Sequence, residues 1–472
     1  MTRYAYERLS HESAAILDGE SSRSFAHACT TLVFESGPLS RSDGGVDFPA
    51  IRRAIEARLH QVPLYRRKLR SVPFEKHPVW VDDHEFNLDY HVRHTSLPRP
   101  GGMEELRRVS ARVQATRLDR SRPLWECWVL EGLAGDRFAL VLKTHTVLAD
   151  AGTDLMHELL SPVPDDIDDV ATPFAPRPVP SPAELWRDEV VRQARLPRRA
   201  LRRFREFSSQ SEDFAEELAT RARGVAGLLG YSIRPLHDTP LSGRVGPHRR
   251  FDQLVLSLDD AKSVRAHLGG TIHDVVLTTV AGAAARYLRA HFVNPATLDF
   301  RVAVPMSLRA GDHNEGIGEW IVELPIWEQD PLRRYQRVCE RTVEQNRVSP
   351  ALGARTLYSV AKWTSSQLLA QGVRAMSARA PVNLRVANVP GPQLPLFLSG
   401  ARLAECYGKV PLGGSGGLGI AVMSYDGKLC VGLNADFDLV PDLEVFSEAL
   451  VSSFDELCEA ARTHRGKLAL VS

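Results

Sequence analysis

The sequence predicts a two-domain α/β protein, and three observations carry that expectation. Strand-like and helix-like apolar periodicities alternate along both halves of the chain. A stretch rich in proline and acid, followed by one rich in arginine, separates the halves. The chain's 472 residues exceed what one ordinary core organises and suit two. The expected division is an N-terminal domain at 1–160, a linker at 161–238 and a C-terminal domain at 239–472.

In the first half, "HACTTLVFE" reads as a strand. "DFPAIRRAIEARLHQVPLYRRKLR" carries Ile51, Ile55, Leu59 and Val62 at helical spacing, with a stop expected near Pro63. "HPVWVDD" is a short strand, and "GGMEELRRVSARVQATRL" a second amphipathic helix. "PLWECWVLEGL" and "RFALVLKTH" read as a strand pair joined at "AGD". "DAGTDLMHELL" starts a helix, with Asp150 near its N-terminus, where negative charge is favoured.

From Ser161 the texture changes to "SPVPDDIDDVATPFAPRPVPSPAEL", which reads as a linker. The segment that follows runs from Arg187 to Arg205 and is dominated by arginine. Three readings stay open: a solvated helix broken near Pro197, a basic amphipathic surface for anionic lipid headgroups, or a contact for CoA phosphates. The second half begins with a strand from Phe251 to Leu258 and the helix "DDAKSVRAHL". "TIHDVVLTTVAGAAARYLRAH" is a long helix whose small residues Ala281, Gly282 and Ala285 suggest close packing. "LDFRVAVPMSLR" is a buried strand expected to turn at Pro305. "RVANVPGP", "PLGGSGGLGIAVMSY" and "KLCVGLNADFDLVPD" read as the strands and turns of a sheet.

Composition narrows the function. Net charge is +1, so no global field favours nucleic acid. The six cysteines form no C-x-x-C pair and have no zinc-ligand spacing, and they read as buried thiols in a reducing cytoplasm. No apolar run approaches the roughly 20 residues that span a bilayer, and the N-terminus lacks the apolar core of a secretory signal. "GGSGGLG" lacks the Lys-Ser/Thr ending of a phosphate loop and reads as a packed turn. No H-E-x-x-H or G-x-S-x-G motif occurs, which removes the common metalloprotease and serine hydrolase routes. His145, at a strand end with Asp150 five residues on, remains, either as a structural histidine or as the base of a transferase.

Six stretches extend this reading: "LDRSRPLWECWVLEGL", "RFALVLKTHTVLADAG", "TIHDVVLTTVAGAAARYL", "VAVPMSLR", "ANVPGPQLPLFLSGAR" and "MSYDGKLCVGLNADFDLVPD". In that order, and with "LSHESAAIL", "HPVWVDDHEFNLDYHVR" and "LPRPGG" upstream, the chain resembles the bacterial wax ester synthase/diacylglycerol acyltransferase family along all but its linker. The resemblance implies two chloramphenicol-acetyltransferase-like α/β domains with a tunnel between them. It implies acyl-CoA as co-substrate, no other cofactor and no metal, and diacylglycerol or a long-chain alcohol as acceptor. It also implies a cytoplasmic protein lying peripherally on a membrane or lipid-droplet surface. Pro123, Leu124, Trp125, Asp274, Asn388, Pro390 and Gly391 fall on family motifs expected to line or shape the tunnel.

The family's His-His-x-x-x-Asp-Gly motif is degenerate here. Lys143 and Asp150 fix the register, so His145 takes the first histidine, Thr146 the second and Ala151 the glycine. In the family the second histidine is the base. A neutral imidazole can take the acceptor's proton and return it to the leaving thiolate, whereas threonine has no basic form at neutral pH. Neighbouring residues of a strand face opposite ways, so His145 is expected to point away from the tunnel and orient the loop. The family's Asn-Asp pair reads His273–Asp274, which makes His273 a candidate replacement base. Related acyltransferases pair the motif aspartate with an arginine, and Arg309 is the expected partner of Asp150. Two functions follow from the resemblance: an active acyltransferase of altered mechanism, or an impaired member that binds acyl-CoA or neutral lipid, or partners an active paralogue. A peptide-condensation domain shares the fold and the double histidine but usually sits among carrier domains.

Overall fold

The computed structural model describes residues 6–21, 23–42, 45–151, 154–164, 171–194, 236–310, 313–347 and 382–469. Two six-stranded sheets form its frame, each under its own apolar core. The first sheet has the order β12-β13-β2-β7-β6-β5. Its strands are β12 (Phe397–Leu398), β13 (Ala401–Lys409), β2 (His27–Glu35), β7 (Arg137–His145), β6 (Trp125–Leu133) and β5 (Val92–Ser96). The second has the order β10-β9-β11-β14-β15-β8. It contains β10 (His313–Glu323), β9 (Arg301–Ala310), β11 (Leu384–Val389), β14 (Leu418–Tyr425), β15 (Lys428–Asp436) and β8 (Arg249–Ser257). A small sheet of β1 (Glu7–Arg8), β4 (Pro78–Asp82) and β3 (Arg67–Ser71) lies beside the first.

The sheets do not follow a division at residue 239. β13 comes late in the chain yet pairs antiparallel with β2, Cys406 opposite Leu32 and Lys409 opposite Cys29. This crossing strand ties the halves together, and side chains reinforce it. Arg107 Nη1 bonds Asp252 Oδ1 at 2.6 Å. Lys409 Nζ lies buried 4.0 Å from the centre of the Phe251 ring. The linker is likewise built into the fold where it is described. Arg177 donates to Asp82 from its backbone N–H and from its guanidinium at 2.9 to 3.1 Å. A helix then spans 182–194, its Leu185 packed among Val72, Val79 and Val81.

Two local expectations are corrected. Pro305 does not turn the chain: β9 runs straight through it to Ala310. Pro305 stands opposite Glu319 of β10, while β11 pairs with β9 only through Val302 and Ala303, so the proline lies beyond the stretch of β9 that is paired on both sides. No α-helix starts at Asp150 either. Residues Thr146–Ala151 form a 3-10 turn, and the helix Leu155–Leu159 begins later, with Asp154 accepting the Met156 N–H as its cap.

The small residues of the helix Ile272–Ala290 do mark a close approach. A Cβ on Gly282 would lie 2.1 Å from Ser453 Oγ and 2.5 Å from Arg334 Nη1, so the helix Leu443–Ala469 could not pack as tightly against any larger residue. The glycine-rich stretch before β14 leads into a strand and not a helix, in keeping with a packed turn. Among the described residues no single helix is long and apolar enough to cross a membrane.

Candidate active site

β7 delivers the histidine motif. Its nine residues pair with the nine of β2, and the last pair is His145 opposite His27. Lys143 is wholly buried and donates to the Val113 and Thr116 carbonyls at 3.0 Å, which satisfies the end of the helix Met103–Ala115. The His145 N–H bonds the Leu124 carbonyl at 3.0 Å, and the Thr146 N–H bonds Ala26 O at 2.8 Å. Leu124 and Trp125 are fully buried, and Trp125 Nε1 donates to Tyr65 O at 2.7 Å. Pro123, Leu124 and Trp125 therefore act as the brace against which the end of β7 is set.

The His145 side chain is spent on the protein. It is 1% exposed. Its Nδ1 accepts the Val147 N–H at 3.2 Å, which leaves the ring proton on Nε2, donated to Glu20 Oε1 at 2.9 Å. Glu20 also accepts the Ala26 N–H at 2.6 Å and Arg120 Nη2 at 2.6 Å. Burial would raise its carboxyl, but these partners, His145 foremost, outweigh that and hold it down at about 2. An imidazole with both nitrogens engaged has no lone pair for a substrate proton, so this geometry makes His145 an orienting residue.

Glu20, His27 and Arg120 were not singled out from sequence. The legible clue was the equal length of "HACTTLVFE" and "RFALVLKTH", because antiparallel pairing in full register puts His27 beside His145. The donor atoms of Glu20, His27 and His145 converge within 4.8 Å, the one such cluster among the described residues. The donor set does not suit a metal, since a ligand at His145 Nε2 would move the proton to Nδ1 and set it against the Val147 N–H. His27 is buried with Nδ1 lacking a hydrogen-bond partner. Burial, then the neighbouring His145 and Lys143, lowers it from 6.5 to about 3.

That depression has a measurable consequence. Unfolded chain takes up a proton on this histidine below about pH 6.5, whereas folded chain does so only near 3. Stability contributed by neutral His27 is thus present above pH 6.5 and lost on acidification toward 3. Between pH 7 and 5 the expected loss from this group is about 2 kcal/mol. Urea midpoints of the parent and of His27→Gln across that range check it, and equal slopes for the two would refute it.

Thr146 is half-buried, and its Oγ1 is buried without a hydrogen-bond partner among the described residues. The hydroxyl that stands in place of the motif's second histidine is therefore uncommitted among the described residues. The 3-10 turn that begins with Thr146 contacts β10 of the second domain. Other ties from that domain hold the segment bearing Glu20 and His27: Ser24 Oγ donates to Leu412 O at 2.8 Å and Arg249 Nη2 to Arg23 O at 3.0 Å.

The remaining motif residues are spread over the second domain. His273 lies half-buried in the first turn of its helix; burial lowers its pKa, and Asp274 opposes that shift. Among the described residues no hydrogen bond joins the His273 ring to a partner or to Thr146. Asp274 caps the helix through the Thr271 N–H at 2.8 Å and takes the Thr342 hydroxyl at 2.6 Å. Asn388 stands on β11 opposite Val422, half-buried. After it come Pro390, which is exposed, and Gly391, where a Cβ would lie 2.3 Å from Ser424 O. The expected pair of Asp150 and Arg309 lies outside the described side chains.

Two family models match in chain order. The wax ester synthase/diacylglycerol acyltransferase catalytic domain covers residues 9–276, and the family's C-terminal domain covers 316–458. The chain belongs to this family. A Mycobacterium tuberculosis H37Rv protein, provisionally described as a diacylglycerol O-acyltransferase, is 30% identical over 484 residues, covering 97% of this chain and 91% of its own. A second protein of that strain, with the same provisional description, is 30% identical over 467 residues, covering 96% of each. Among solved structures, the wax ester synthase/diacylglycerol acyltransferase from Marinobacter aquaeolei VT8 superposes with a TM-score of 0.66 at 22% identity, over 96% of this chain and 99% of that one. The first condensation domain of the CDA synthetase shares the fold at a TM-score of 0.56 and 16% identity, over 97% of each chain. Both likenesses establish the two-domain acyltransferase fold.

Proposed function

We propose that the chain transfers an acyl group from acyl-CoA to the hydroxyl of a hydrophobic alcohol, either diacylglycerol or a long-chain alcohol. The observation that carries this reading is the end of β7. Glu20 and the Val147 N–H fix His145, and the next residue opens the turn that β10 of the other domain contacts. In the reaction the alcohol oxygen attacks the thioester carbonyl, the C–S bond breaks, and the hydroxyl proton passes to a base and then to the CoA thiolate. The Thr146 hydroxyl can hold the alcohol or a water by a hydrogen bond, but it cannot store that proton.

The base must then come from elsewhere, and His273 is our candidate. Its lowered pKa keeps the imidazole neutral near pH 7, and its ring has no competing hydrogen bond among the described residues. Thr146 equally supports a second reading, in which the protein binds acyl-CoA or neutral lipid without turnover. Single-turnover assays with radiolabelled acyl-CoA and a panel of alcohols separate the two. Ester formation is the expected result. Saturable acyl-CoA binding with no ester from any alcohol would transfer the assignment to the binding reading.

A further inference from the structure

The helix 182–194 buries Leu185 among apolar side chains and still leaves apolar residues on its outer face. Its buried face carries a carboxylate: Glu189 is 2% exposed, bonded to Arg8 Nη1 and Arg192 Nη2 at 2.5 Å each. Its outer face carries Ala183, Trp186, Val190, Val191 and Ala194 at helical spacing, with the exposed Arg187 among them. Trp186, Val190 and Val191 are 40%, 47% and 43% exposed. A water-facing helix ordinarily keeps its outer face polar, so this pattern calls for a partner.

The neighbouring hairpin extends this face. Between β3 and β4 the chain turns through Phe74 and Lys76, both with positive φ (64° and 59°). Such backbone is uncommon for a bulky side chain. It leaves Phe74 81% exposed, with its ring centre 5.0 Å from that of Trp186. Lys76 is exposed at the same tip, with no acid partner among the described residues. Of the nearby acids, Glu75 and Glu189 pair with Arg8 and Arg192, Asp188 pairs with Arg187, and Glu184 accepts the Ser181 N–H and hydroxyl. In sequence the chain leaves this helix straight into residues 195–205, which hold Arg195, Arg198, Arg199, Arg202, Arg203 and Arg205 and no acid.

We propose that the outer face of the helix 182–194, with the Phe74 hairpin tip, docks on an anionic lipid surface. Exposed aromatic rings beside Lys76, next in sequence to an arginine-rich stretch, match the headgroup boundary, where rings settle among the acyl ends and basic residues meet phosphates. The inference rests on the acyltransferase reading only for its source of lipid, since a diacylglycerol acceptor dissolves in such a surface. None of these residues belongs to the site around His145.

Flotation of the full chain with vesicles of phosphatidylcholine, with and without phosphatidylglycerol, tests the proposal. Binding is expected only to the anionic vesicles and should weaken as salt rises. The exposed double variant Phe74→Ser with Trp186→Ser is expected to lose at least about tenfold in partition, and Lys76→Glu severalfold, with unchanged melting temperature and unchanged acyl transfer to a short soluble alcohol. Equal binding to neutral vesicles, or unaltered partition of the double variant, overturns the proposal. So does a dimer that the double variant converts to monomer while no vesicle is bound, because a second copy would then be the occupant. A chain that floats but esterifies nothing removes the catalytic reading and leaves this one. A chain that esterifies detergent-dispersed diacylglycerol but never floats does the reverse.

Discussion

Thr146→His is expected to raise the rate of acyl transfer by about 10²–10⁴-fold, the usual worth of a positioned general base. The surroundings favour the exchange. The Thr146 N–H is anchored on Ala26 O at 2.8 Å, so the backbone at the base position is already fixed. Its Oγ1 makes no hydrogen bond among the described residues, so removing it breaks none there. His145 stays occupied by Glu20 and Val147, which leaves the new imidazole as the candidate base at the head of β7. The same experiment weighs His273. His273→Asn is expected to abolish activity in the parent and to be tolerated in the Thr146→His background. A parental rate unchanged by His273→Asn would end the relocated-base idea. If neither the parent nor Thr146→His forms ester, the binding-only reading becomes the better one.

Much of this was readable in the sequence, and the reason differs from residue to residue. Strand and helix identities followed from local periodicity: His27–Glu35 and Arg137–His145 are strands because their apolar runs allow little else. That His145 turns its ring into the protein was expected from alternation along a strand, and the ring is buried. What holds His145 was not readable, since Glu20 lies 125 positions away and becomes its neighbour only through the pairing of β2 with β7. The crossing of β13 into the first sheet was hidden for the same reason. Nothing in "ARLAECYGK" names the strand it will pair with, and only the docking of the two halves decides that. The helix start at Asp154 was missed through competition between two aspartates. Asp150 and Asp154 both suit an N-cap, and the 3-10 turn that follows β7 takes the first.

The largest expected loss of stability comes from Glu20→Ala. The Glu20 and His145 side chains are 3% and 1% exposed, and their 2.9 Å bond is shielded from solvent. Removing the carboxylate strands the His145 Nε2–H and the Ala26 N–H and takes from Arg120 its charged partner, leaving it the Leu17 carbonyl. Breaking one side of a buried pair typically costs about 3–5 kcal/mol, which is a large share of the 5–15 kcal/mol that holds a typical domain together. Glu20→Gln keeps an acceptor for His145 and Ala26 and loses only the charge facing Arg120, so it should recover part of the loss. The pH dependence tells this role from mere packing. Because the folded carboxyl is held at about 2 against an ordinary 4.5, its contribution is complete above 4.5 and disappears as pH falls toward 2. The gap between parent and Glu20→Ala, measured by urea unfolding, should therefore be full at pH 7 and shrink below 4.5. A pH-independent gap would mean that Glu20 fills space and does not hold charge. In the Thr146→His background, Glu20→Ala should also lower kcat more than it raises KM, because a freed His145 no longer fixes the turn that presents the new base.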